Sequence, residues 1–269
     1  MQTPRPRIVA GVTIGEPLGE TELGSTYRAS TASRRDLTAL VVAAPLAGHA
    51  RFRGVLLDAA RRERLTSFSH DAVVTTVSIA EHAGDLVVVT LGARDARTAA
   101  DVLAEARGPG GRPTLEVTTA LALGLVDALA ALHGRGLVHG AIHPRSLVIG
   151  GDGQVQLGDV ALGAALGTAI GHGLDDDLWR TLRGYLASEL TRGGAPTPAS
   201  DVYAAGAVVF TSSLARRAEV LRTTPAVERV VHRALDGDPA RRQRDGAEQA
   251  AELREAFGGI AGRRRRPPR

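Results

Sequence analysis

The apolar residues of this chain change period at Gly92, and that change restricts the fold more than any single residue does. Before Gly92, residues 38–43, 73–79 and 86–91 are short runs rich in β-branched side chains, the pattern of strands. One segment interrupts them: over 50–66, Phe52, Val55, Leu56, Ala59 and Ala60 recur at helical spacing, with arginines on the opposite face. After Gly92 the helical period dominates. Thr114 is placed to cap a long helix with Glu116 in its first turn, and Leu121, Leu125, Ala128, Leu129 and Leu132 line one face until Gly134 and Gly136 stop it. A hairpin is predicted from 147–149 and 155–157, joined through Asp152-Gly153, a pair that suits a tight turn. Further helices are predicted over 201–214, 226–235 and 246–257. A small β-rich lobe followed by a helical lobe is an α+β, two-lobed arrangement. The expected divisions are an N-terminal tail over 1–11, one lobe over 12–92, a second over 93–258, and an arginine-rich disordered tail over 259–269.

Composition narrows the chemistry. The chain has no cysteine, which removes disulfides, thiolate metal sites and cysteine nucleophiles and fits a reducing compartment. It also has no lysine and no asparagine, so all 33 of its Lys+Arg positions are arginine. A GC-rich coding background would produce that bias at exposed positions. At a phosphate-binding position the exchange matters, because lysine is a compact point charge and arginine a wide planar fork. The formal charge of +4 comes from the end of the chain: removing the five arginines of residues 263–269 (Arg263 to Arg266 and Arg269) leaves −1. Such a stretch suits an anionic lipid surface. Nucleic acid is disfavoured, since stacking aromatics are few at 3% of residues. The start lacks the apolar stretch of a signal peptide and no run approaches a membrane span, so a soluble, cytoplasmic chain is expected, at the inner face of the membrane if the arginines bind lipid. The eight histidines show no paired metal spacing with a nearby acid, and no Gly-x-Ser-x-Gly elbow is present.

The order of several short motifs resembles the bacterial members of the eukaryotic-type Ser/Thr protein kinase family, over about residues 12–257. Residues 137–148 (LVHGAIHPRSLV) resemble the catalytic loop, and 155–161 (VQLGDVA) the strand and metal-binding triplet after it. Ala187-Ser188-Glu189 resembles the end of the activation segment, residues 201–206 the opening of the buried central helix, and Asp238 to Arg242 a late Asp-Pro-x-x-Arg loop. Residues 18–27 (LGETELGSTY) resemble the glycine-rich loop. The resemblance implies a kinase-like fold, with 12–92 as N-lobe and 93–258 as a C-lobe shortened after the central helix.

The same resemblance implies where phosphoryl-transfer residues should stand, and most are replaced. His139-Gly140-Ala141 puts alanine at the general-base aspartate, His143 stands for the loop lysine, and Ser146 for the metal-binding asparagine. Family kinases use such groups to position and neutralise the transferring phosphate. In the nucleotide cleft the resemblance places Gly19, Thr21, Gly24 and Val41, with Thr21 at the central glycine and Val41 at the phosphate-pairing lysine. Glu20 and Glu22 bring negative charge where phosphate would lie, and Arg61 falls at the lysine's glutamate partner, with Glu63 the nearest acid. Asp159 alone matches a metal ligand. The scaffold residues are kept: Glu189 is expected to pair with Arg242, and Asp201 to accept from the backbone around His139.

The expectation is a pseudokinase, a regulatory signalling module that binds a protein partner and needs no cofactor. The alternative is a residual or unorthodox ATP-dependent kinase using Mg²⁺ on Asp159, with Asp175, Asp176 and Asp177 as candidate acids. Thr168, Thr181 and Thr191 are candidate acceptors of phosphate from an active kinase.

Overall fold

The computed structural model describes residues 7–62, 65–92, 96–105, 115–173, 176–214 and 225–264. Thr114, Glu63 and Asp175 lie outside the described residues, as do the last five residues with Arg269.

The first lobe is a six-stranded antiparallel sheet of order β1-β2-β3-β4-β6-β5, built from β1 (Arg7–Val9), β2 (Val12–Thr21), β3 (Gly24–Ser30), β4 (Leu37–Val42), β5 (Thr76–His82) and β6 (Asp85–Leu91). Its first strand lies within the segment expected as a tail: Ile8 pairs with Thr13. Strand alternation sorts the side chains of β4. Leu37 and Ala39 are buried in an outer cluster with Val12, Val87 and Val89, which Val41 packs against, while Leu40 and Val42 face inward.

Two helices cross the inner face, α1 (Ala44–Gly48) and α2 (Ala50–Arg61). His49 caps α2 by accepting from Phe52 N at 3.4 Å, and Phe52 and Leu56, one turn apart, are fully buried. Burial of each stabilises by roughly 1.5–3 kcal/mol. The helix ends at Arg61, five residues before the sequence pattern suggested.

The second lobe begins with β7 (Arg97–Thr98) and α3 (Ala99–Glu105) and is centred on α4 (Leu115–His133). By length and composition alone α4 could cross a membrane, with a window of mean hydropathy 1.4, although no such run was expected from the sequence. Its Leu121, Leu125, Leu129 and Leu132 are buried in the core, which is what makes the helix so apolar. The predicted hairpin forms as β8 (Leu147–Ile149) and β9 (Val155–Leu157), joined by β7 into a three-stranded sheet.

Next come α5 (Val160–Ala169), α6 (Asp176–Leu182), α7 (Ser188–Thr191), α8 (Pro198–Leu214), α9 (Pro225–Ala234) and α10 (Gly246–Arg264). Helix α8 starts earlier than Asp201 because Thr197 and Ser200 form a reciprocal cap, Thr197 N to Ser200 Oγ at 2.9 Å and Ser200 N to Thr197 Oγ1 at 3.2 Å, with Pro198 in the first turn. In α9, Val227, Val230, Val231 and Ala234 bury one face. Helix α10 continues to Arg264, inside the segment expected as a disordered tail.

One continuous apolar core joins the lobes, from Leu40 and Phe52 through Val160, Leu162 and Leu166 to Leu129 and Ala205. Helix α5 lies at its centre, packed along α2.

Candidate functional site

The catalytic-loop segment is held by Asp201, which is 1% exposed on α8. Its Oδ2 accepts from His139 N at 2.7 Å and its Oδ1 from Gly140 N at 2.7 Å. His133 Nε2 donates to Oδ2 at 3.1 Å, and the other ring nitrogen accepts from Gly246 N at 2.8 Å, so this histidine links three elements. Gly140 has φ +83°, and a Cβ there would lie 3.0 Å from Pro196 and 3.2 Å from Gly163 O, so backbone conformation and space both require glycine.

The chemically altered positions are turned to structural use. His139 is buried; its Nε2 donates to Gly158 O at 2.9 Å, and burial lowers its pKa. His143, where the family places a lysine, donates from Nδ1 to Ala141 O at 3.1 Å, and burial lowers its pKa to about 4. It therefore brings no positive charge to the cleft at neutral pH. Ser146 is fully buried, its hydroxyl donating to His143 O at 2.7 Å and accepting from His143 N at 3.1 Å. Those bonds close the loop as a capping box. Ala141 is buried and has no proton acceptor in its side chain.

Asp159 follows on the cleft floor in left-handed conformation, φ 55°. Its carboxylate makes no hydrogen bond among the described residues, and burial raises its pKa to about 6. Among the described residues no group of three or more acids and histidines is placed to hold a metal ion. Asp159 with one hydroxyl or imidazole fits Mg²⁺ poorly, since that ion wants octahedral oxygen ligands.

Directly after Asp159 the chain winds into α5, a helix the sequence pattern did not predict. Eight of its ten residues are buried and none is charged. It approaches the catalytic loop closely: a Cβ on Gly163 would fall 2.4 Å from the His139 ring, and one on Gly167 2.6 Å from Gly140 O. The helix therefore packs directly on the His139–Gly140 stretch of the loop.

Between the lobes lies a cavity of about 200 Å³. Thr21, Glu22 and Leu23 roof its mouth, Thr38, Leu40 and Val88 form the upper wall, and Asp159, Val160 and Leu162 form the floor. Of the four residues expected in the nucleotide cleft, only Thr21 lines it, its hydroxyl donating to Gly24 O at 3.2 Å. Gly19 lies on the exposed run of β2, accepting from Thr26 Oγ1 at 2.9 Å. Gly24 is where a Cβ would lie 2.0 Å from Val41 O. Placing Val41 at the lysine position was an error of one residue: alternation turns it to the outer face and puts Leu40 in the cleft. No residue of α2 lines the cavity, and Arg61 is exposed in its last turn.

Glu22 was expected to repel phosphate, and the structure adds a role no sequence signal gave. Its Oε1 stands 3.5 Å from Arg145 Nε of the catalytic loop and accepts from Thr181 Oγ1 of α6 at 3.2 Å. The tip of the glycine-rich hairpin is thereby latched across the cavity mouth to the second lobe.

Beyond the cleft, Arg242 is fully buried and bidentate to Glu189, at 2.6 and 3.0 Å, while also donating to Ala199 O and Asp236 O and lying 4.9 Å over the Tyr203 ring. Thr168 and Thr191 are turned back onto Ala164 O and Ser188 O. Asp176 and Asp177 start α6 on the surface, Asp177 paired with Arg180 at 2.6 Å.

An antiparallel sheet crossed on its inner face by helices, a helical lobe, and a loop held by a buried aspartate between them define the protein kinase fold. The family model for protein tyrosine and serine/threonine kinases matches residues 12–238. The chain belongs to the protein kinase family, among its bacterial eukaryotic-type members. It is 27% identical over 218 residues to the serine/threonine-protein kinase PknG of Mycobacterium leprae, covering 72% of this chain and 26% of that one. It is 35% identical over 98 residues to PknL of Mycobacterium tuberculosis, covering 32% of this chain and 21% of that one. Its fold matches the solved PknI kinase domain of Mycobacterium tuberculosis with a TM-score of 0.77 at 20% identity, covering 95% of this chain and all of that one. The chain spans about a quarter of the length of the curated relatives it matches.

Proposed function

We propose that this member of the kinase family is a pseudokinase, a module that does not transfer phosphate and acts by binding a protein partner. Ala141 carries the reading: its side chain offers no carboxylate where a substrate hydroxyl would lose its proton, and α5 packs on His139 and Gly140 beside it. General-base catalysis is worth about 10²- to 10⁴-fold, and the lysine and second metal ligand are replaced as well. On this reading the domain needs neither ATP nor Mg²⁺ and works in the cytoplasm, and the arginines of 263–269 favour an anionic membrane surface as a second contact. Its closed, ion-paired lobes suit a binding module.

One observation favours residual kinase activity instead: Asp159 is kept on the cleft floor within a family whose named relatives are kinases. Transfer of label from radioactive ATP with Mg²⁺ to casein separates the two. Background transfer is expected from the parent chain and from Asp159→Ala alike. Transfer by the parent that Asp159→Ala abolishes would establish the kinase.

A further inference from the structure

Three threonines stand abreast on the wall of the cleft, and no part of the reading above uses them. Thr38 on β4 pairs with Thr90 on β6, and Thr90 pairs with Thr76 on β5. All three line the cavity. Directly opposed residues on neighbouring strands hold their Cβ atoms roughly 4.5–5.5 Å apart, so the hydroxyls form a row about 10 Å long. Among the described residues none of the three has a side-chain hydrogen bond, although Thr76 is only 4% exposed. Thr38 and Thr90 are half-buried beside it, and hydroxyls that line a cavity without a protein partner take their hydrogen bonds from what fills it.

The rest of the lining defines the ligand. Leu40 and Val88 above and Val160 and Leu162 below present apolar faces. At the floor and mouth the charged groups are Asp159, Glu22 and Arg145, and the cation already faces Glu22. A phosphate chain would meet two carboxylates with one committed cation. An uncharged hydroxyl group would instead find Asp159 free to accept its proton. The volume, about 200 Å³, lies below the roughly 300–1,000 Å³ typical of sites for drug-sized ligands.

We propose that the cleft binds an uncharged, hydroxyl-bearing small molecule on the Thr38–Thr90–Thr76 row and excludes its phosphorylated counterparts. The proposal rests on the pseudokinase reading, because an active kinase must admit a polyphosphate. Calorimetric titration of the full chain with adenosine, with glucose and with ATP tests it, since adenosine and ATP differ only in phosphate. At least one uncharged probe is expected to bind, and adenosine to bind at least about tenfold more tightly than ATP, with or without Mg²⁺. Thr38→Val and Thr90→Val keep shape and strand preference, and each is expected to weaken the bound probe by about tenfold. Should Thr76→Val fail to fold, these two still decide. Tighter binding of ATP, no binding of either uncharged probe up to about 10 mM, or affinities indifferent to the valine changes would overturn the proposal. Label transfer would sink both readings, because the cleft would then admit ATP, whereas ATP preference without transfer would sink this one alone.

Discussion

At the floor of the cleft Asp159 sits where burial disfavours its charge and raises its pKa to about 6. The folded pKa lies above the ordinary aspartate value of 3.8, so the fold carries no penalty below about pH 4, a growing one as pH rises, and the full one above about 6. Asp159→Asn should therefore stabilise by on the order of 1–3 kcal/mol at neutral pH, and asparagine tolerates the left-handed backbone. A melting temperature raised by several degrees near neutral pH, with the gain fading toward about pH 4, is the expected outcome. An equal gain at both would assign it to something other than charge. Glu189 has the opposite sign. Burial pushes its carboxyl up, but two hydrogen bonds and the charge of Arg242 outweigh this and hold it below the usual range. Its contribution is present above the unfolded carboxylate pKa and is lost as pH falls through the folded one. Glu189→Ala leaves a buried guanidinium unpaired and should cost roughly 3 kcal/mol in urea unfolding. Glu189 and Arg242 could be placed from motif order alone, because each is a fixed distance from a recognisable neighbour. Val41 could not, since a run of aliphatic residues gives no register and a shift of one reverses the face.

At the level of elements, the hairpin and the long amphipathic helices were legible because their apolar positions alternate with polar ones. Helix α5 was not. Val160 to Ala169 has no polar face, so no helical period can be read from it. Its glycines show what it needs. In an open helix interior, glycine to alanine stabilises by roughly 0.5–1 kcal/mol, and Gly54 of α2, with nothing within 4 Å of its would-be Cβ, should follow that rule. Gly163→Ala should reverse it and destabilise by about 1–3 kcal/mol, because the added carbon meets the His139 ring. Thermal unfolding of the two variants side by side checks the opposed signs; a stabilised Gly163→Ala would mean α5 is not packed on the loop.

For the whole molecule, the two-lobed α+β architecture was readable from the change of period at Gly92, while the way the lobes are joined was not. That junction depends on contacts between residues far apart in sequence, such as Glu22 with Thr181. A half-exposed ion pair with one hydroxyl contributes about 0.2–1 kcal/mol, so Glu22→Ala should leave the melting temperature almost unchanged. It should speed amide exchange in the β2–β3 tip by about 1.5- to 5-fold, an effect that added salt reproduces in the parent chain. Unchanged exchange would show the tip to be held by its own turn. The wedge at the centre, meanwhile, is glycine or alanine at six of its ten positions, two of them glycines set against the His139 loop. Drift at Gly163 and Gly167 has one direction open to it, toward bulk, and each such step would lever the His139 loop away from its neighbour, so lineages of this chain should show far less variety at those two positions than their plain composition would suggest.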